Sequence, residues 1–114
     1  MADDVVYVNA EEGIKRVMNN SKIYVRLLLK FKDDPTFNSL CEAMTEGNTE
    51  NARAMSHTLK GLAANLSLIE LTRQSLELES RIKNGNLDME QLTLVKDVYH
   101  HTITELDKVI TQYA

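Results

Sequence analysis

The chain has 114 residues, 43% of them hydrophobic and 26% charged, and this composition excludes a disordered or fibrous chain and favours one folded domain over residues 1–114. Its net charge of −4 argues against nucleic acid as a partner, because phosphate backbones are bound by clustered Lys and Arg. No apolar segment reaches the roughly 18 residues that span a bilayer, and the N-terminus is acidic where a signal peptide would be basic. We therefore expect a cytoplasmic protein without membrane association.

Helical periodicity dominates the sequence, which has only four Gly and one Pro. We expect five helices. The first three predicted helices run from Ala10 to Met18, from Ser21 to about Phe31 and from Thr36 to Glu46. A fourth begins after the cap Asn48 and runs through Asn65 and Leu66, and a nearly continuous helical pattern resumes from Leu68 to Lys83. The last helix follows Asp88.

The boundaries follow from residues that begin and end helices. Asn9, Ser21, Asn48 and Asp88 are predicted N-caps, because their side chains can accept a hydrogen bond from the backbone of the first turn. Gly47 is predicted to end the third helix in the left-handed conformation. The resulting fold class is all-α, an antiparallel four-helix bundle (up-down-up-down) with a short additional N-terminal helix.

His57 is predicted to point into solvent from the fourth helix. With about 100° of rotation per residue, it lies opposite the apolar stripe of that helix. The stripe consists of Ala52, Met55, Leu59, Leu62, Ala63 and Leu66. A buried structural histidine is therefore not expected.

The neighbours of His57 on its helix face are unusually small. Gly61 lies in a helix interior at a cost of about 1 kcal/mol relative to Ala, and Ala54 and Ala64 lie on the same side. Another protein's backbone could therefore approach the imidazole closely. Lys60 and Arg53 flank this small-residue face with positive charge. An exposed histidine beside a tolerated glycine, with no function, would have the same pattern.

The segment from Ser56 to Leu68 resembles the motif of histidine-containing phosphotransfer (HPt) domains, in which H-x-L-K-G-x-[AS] surrounds a phosphorylated histidine. The downstream Leu71, Leu78 and Glu79 are similar to the following helix of the family, and Tyr24 to Phe31 resembles an upstream region. Ser67 is a departure, because many members have Gly near this helix junction.

The resemblance implies that His57 accepts and donates the phosphoryl group, that Lys60 is the cation beside it, and that Gly61 admits the partner's active site. Either Gln74 or Glu79 could orient the ring by hydrogen bonding. No glycine-rich phosphate loop or kinase element is present, so we expect a phosphoryl carrier and not an enzyme.

The expected partners are the receiver domains of a hybrid histidine kinase and of a response regulator, between whose aspartates the phosphoryl group would pass. Their docking surface is predicted to include Arg53, Ala54 and Ala64, together with Ile14 and Met18 of the first helix. Those last two could equally be a stripe that covers the core.

No cofactor or metal site is expected in this chain, and magnesium is expected in the receiver. We expect a monomer.

Two other interpretations stay open. In the first, the chain is a non-catalytic helical interaction or adaptor bundle, and His57 is incidental. In the second, it is the phosphotransfer domain of a chemotaxis kinase, which is normally fused to kinase domains for which 114 residues leave no room. His100 and His101 are expected to be solvated surface residues, because adjacent helix positions cannot form an i, i+4 ligand pair.

Overall fold

The computed structural model describes residues 5–114, and none of them lies in a β-strand. They form six helices: α1 (Ala10–Arg16), α2 (Ser21–Lys32), α3 (Thr36–Glu46), α4 (Thr49–Asn65), α5 (Ile69–Lys83) and α6 (Met89–Tyr113). The described part of the chain is therefore an all-helical bundle, in agreement with the predicted class.

Most of the predicted helix ends are where the capping residues place them. The side chains of Asn9, Asn48 and Asp88 accept a hydrogen bond from the backbone N–H three residues later, at 3.2, 3.1 and 3.0 Å. Gly47 ends α3 with φ of +71°, a conformation that glycine adopts without a steric penalty. These local signals fix the end of α3 and the starts of α1, α4 and α6.

Two predicted boundaries were wrong. Asn20 and not Ser21 caps α2, because the Asn20 side chain accepts a backbone hydrogen bond at 3.1 Å and Ser21 is already helical. Helix α1 ends at Arg16 and not at Met18, since Met18 and Asn19 both have positive φ, near +60°. The chain leaves the helix there and turns sharply into α2.

The expected count of five helices becomes six because the pattern from Asn48 to Lys83 is interrupted at residues 66–68. Ser67 has φ of +59°, a left-handed conformation that stops α4 and lets α5 begin. Its hydroxyl donates a hydrogen bond to Glu12 at 2.7 Å. The departure from Gly at this position is therefore accommodated, with a side-chain contact that glycine could not make.

The helices enclose one apolar core. Helix α4 packs between α3 and α5, and α6 packs against α5 and α2. The largest fully buried aliphatic residues of the core are Leu28, Leu40, Leu59, Leu68, Leu71, Leu78, Ile82, Leu92, Val95 and Leu106. No helix within residues 5–114 combines the length and the apolar character needed to cross a membrane.

Helix α1 is attached closely to α2 and to the end of α4. Gly13 lies against the ring of Tyr24, where a Cβ atom would overlap the ring. The buried Tyr24 hydroxyl donates to the carbonyl of Leu66 at 2.7 Å. Burial, and secondarily the charge of Glu12, raises the pKa of Tyr24 to about 12, so the phenol keeps the proton that this bond requires.

The segment before α1 is attached to the same place. The Asn9 N–H donates to the carbonyl of Ser67 at 2.9 Å, and the Ile69 N–H donates to the carbonyl of Tyr7 at 3.0 Å. The N-terminal segment and α1 are thus held at the junction between α4 and α5, and α4 carries His57.

Candidate functional site

The His57 side chain extends from α4 into solvent, with 67% of its surface exposed. Ala52, Leu59 and Ala63, on the opposite side of the same helix, are buried in the core. This is the orientation expected from the spacing of the apolar residues. The imidazole is therefore accessible to another molecule.

Glu79 of α5 holds one edge of this ring. Its side chain is only 3% exposed, and its Oε2 lies 2.8 Å from His57 Nδ1. Because an ionised carboxylate can only accept a hydrogen bond, the proton of the neutral imidazole must be on Nδ1. The lone pair is then on Nε2, the nitrogen that Glu79 leaves free.

Lys60 completes a three-residue cluster with His57 and Glu79. Its Nζ lies 3.0 Å from Glu79 Oε1 and 3.5 Å from His57 Nδ1. Since Nδ1 donates its proton to Glu79, the ammonium group of Lys60 pairs with the carboxylate. The Lys60 side chain is 26% exposed, so this cation is more buried than a residue on a solvated helix face.

The charge of Glu79 depends on these neighbours. Burial alone would raise the pKa of this carboxyl, but its hydrogen bonds and attraction to Lys60 and His57 outweigh burial and hold the pKa below its ordinary value. Glu79 is thus ionised at neutral pH, and it is the fixed group against which the ring is oriented.

The surface beside the cluster is open. Apart from its chain neighbours and the backbone of its own helix, no heavy atom lies within 4 Å of the position that a Cβ atom of Gly61 would occupy. Ala54 is exposed, and Ala64 is half-buried. Beside the ring, a cavity of about 390 Å³ is lined by Glu50, Arg53, Ala54, His57, Glu79 and Lys83. The structure therefore places Arg53 and Ala54 at the site.

Other predicted site residues lie elsewhere. Gln74 donates to Glu70 at 3.0 Å and accepts from Gln91 at 2.9 Å, so its polar atoms are used in a network between α5 and α6. Ile14 is partly buried against the core, whereas Met18 is 91% exposed. Of these two residues, only Met18 projects fully into solvent.

Sequence reasoning missed Lys83, whose Nζ is 3.8 Å from Glu79 Oε2. Its spacing of four residues after Glu79 on the same helix was the available signal.

The remaining histidines, His100 and His101, are exposed on α6. The ring of His101 stacks on Tyr7 with the ring centroids 5.3 Å apart, and the ring of His100 meets the edge of Tyr99.

A family model described as the Hpt domain matches residues 34–112, which is most of the chain and includes α3 to α6. Histidine phosphotransfer within a phosphorelay is the activity of this class. The chain belongs to the Hpt domain family. Comparisons with curated proteins and with solved structures gave no match.

Proposed function

We propose that the chain carries a phosphoryl group on Nε2 of His57 and passes it between receiver-domain aspartates. The observation that carries this proposal is the 2.8 Å contact between Glu79 Oε2 and His57 Nδ1. It leaves Nε2 as the unprotonated nitrogen on a ring that is 67% exposed. A nucleophile with this orientation needs no separate base to activate it.

In the transfer step, the Nε2 lone pair attacks the phosphorus of an aspartyl phosphate. The P–N bond forms as the acyl phosphate P–O bond breaks, and the aspartate leaves as a carboxylate. The Nδ1 proton stays in place, where Glu79 stabilises the positive charge that develops on the ring. The same step in reverse delivers the group to a second aspartate. Lys60 would supply positive charge beside the phosphoryl group.

The docking surface of the proposed partners centres on the open face around Gly61. Ala54 and Ala64 keep this face low, and Arg53 adds charge at its edge, so a receiver could bring its aspartate in line with Nε2. Met18 would add an apolar contact to this surface, as predicted from the sequence, and 91% of its side chain is in solvent. Ile14 would contribute only its exposed part.

The specific assignments are part of the proposal. The donor would be the receiver of a hybrid histidine kinase, the acceptor would be a response regulator, and magnesium would be bound in the receiver. The chain itself would be a monomeric cytoplasmic carrier, one domain over residues 1–114, with no nucleic-acid partner and no kinase activity of its own.

The connections at 66–68 and 84–88 are short, which supports an antiparallel up-and-down course for α4, α5 and α6.

Phosphorylation of His57 tests the proposal directly. The purified protein is incubated with a phosphorylated receiver domain or a small phosphodonor, and the adduct is tested for acid lability and base stability. We expect the adduct on the wild type and on the control His100→Gln, whose side chain is also exposed, but not on His57→Gln. Absence from all three proteins would instead support the adaptor interpretation.

A further inference from the structure

Two lysines from different helices share the buried carboxylate of Glu79. Lys60 of α4 lies 3.0 Å from Oε1, and Lys83 of α5 lies 3.8 Å from Oε2. Lys83 follows Glu79 by four residues, in the order that favours attraction between a glutamate and a lysine on one helix. Half of its side chain is exposed, and it also lines the cavity beside His57.

Phosphorylation of His57 would place two demands on Lys60. A phosphoryl group carries a charge of about −1.5 to −2 and attracts the nearest ammonium group. In the unphosphorylated protein that ammonium is already paired with Glu79. If Lys60 turns towards the phosphoryl group, Glu79 loses its closest cation, and a carboxylate that is 3% exposed is strongly destabilised without one.

We propose that Lys83 is a positioning residue that keeps Glu79 ionised while Lys60 turns to the phosphoryl group. Lys83 contacts the other carboxylate oxygen, so it can remain in place when Lys60 leaves. It acts through Glu79, which in turn holds Nδ1 of the ring. This inference rests on the proposed function, because Lys60 has a reason to move only if His57 is phosphorylated.

The test uses phosphoramidate, a small phosphodonor that needs no protein docking. His57 Nε2 attacks its phosphorus, the donor P–N bond breaks, and ammonia leaves. We expect Lys83→Met to slow phosphorylation about fivefold, equivalent to about 1 kcal/mol of transition-state stabilisation. Lys83→Arg should restore the rate. Lys108→Met is the matched control, because Lys108 also pairs with a glutamate on its own helix, at 2.8 Å, but lies on α6.

A double variant with Glu79→Gln distinguishes Lys83 acting through Glu79 from Lys83 acting alone. If Lys83 serves to keep Glu79 ionised, then Glu79→Gln with Lys83→Met should be no slower than Glu79→Gln by itself. Multiplied losses in this double variant, or a wild-type rate for Lys83→Met, would overturn the inference and leave the proposed function intact. A wild-type protein that neither phosphoramidate nor a phosphorylated receiver can modify would overturn both.

Discussion

Substitution of Lys60 by Met should cost more stability than the loss of an ordinary surface charge. At 3.0 Å the gross attraction to Glu79 is about 5 kcal/mol for an effective dielectric constant near 20. Desolvation of the buried carboxylate offsets most of this attraction. Because Lys60 keeps 26% exposure and Lys83 remains near Glu79, we expect a net loss of about 1–2 kcal/mol, between the values typical of exposed and of buried pairs.

The loss should depend on pH in a defined direction. The pKa of Glu79 is lower in the folded protein than in the unfolded chain, so its contribution to stability is present above the unfolded value, near 4.3, and is lost as the pH falls through the folded value. The difference between wild type and Lys60→Met should therefore be full at pH 7. It should shrink as Glu79 becomes protonated in acid.

Urea unfolding followed by circular dichroism, at pH 7 and at about pH 3, measures this difference. Lys108→Met is the control. Its partner Glu105 is 39% exposed and Lys108 is 72% exposed, so the control should lie within about 0.5 kcal/mol of the wild type. A Lys60→Met protein as stable as the control, or one that is equally destabilised at both pH values, would refute the assignment of Lys60 to Glu79.

Two further predictions concern helical glycines. Gly61→Gln should leave the bundle folded, because the new Cβ atom would meet no atom within 4 Å outside its chain neighbours and its own helix backbone. It should slow transfer from a phosphorylated receiver, while the rate with phosphoramidate stays within about twofold of the wild type. Wild-type rates with both donors would show that the open face is not needed. Gly13→Ala should lower the free energy of unfolding by about 1–3 kcal/mol, because its Cβ atom would overlap the Tyr24 ring. Gly61→Ala should raise the free energy of unfolding by up to about 1 kcal/mol, because alanine has the higher helix propensity. Urea midpoints of the two alanine variants check this opposition, which a loss of stability in both would contradict.

The sequence predicted best those features that depend on a few adjacent residues. Asn9, Asn48 and Asp88 each cap a helix within a single turn, and Gly47 ends one. The outward direction of His57 also follows from the spacing of apolar residues on its own helix. The error at Ser21 arose because two neighbouring residues, Asn20 and Ser21, can both cap, and only the backbone conformation decides between them.

Contacts between helices could not be predicted from local patterns. Glu79 and Gln74 are both on α5, and the sequence left open which of them hydrogen-bonds the His57 ring. Their directions differ because Gln74 meets the buried Gln91 of α6, whereas Glu79 meets His57 and Lys60 of α4. Lys60 was expected only as a positive charge beside His57, and its pairing with Glu79, nineteen residues later in the chain, depends on how α4 and α5 pack together.

The attachment of α1 to the end of α4 has a consequence for how the chain reaches its native state. A helix of 7 residues is too short to persist alone in water. Its hydrogen-bond partner Ser67, and Ile69, which bonds the segment before it, are synthesised about sixty residues later. On the ribosome, α1 must therefore stay undocked until the α4 and α5 hairpin has emerged. This long-range contact, like the packing of α2 against α6, raises the contact order of a bundle whose later helices pack with their sequence neighbours, and we expect it to slow folding.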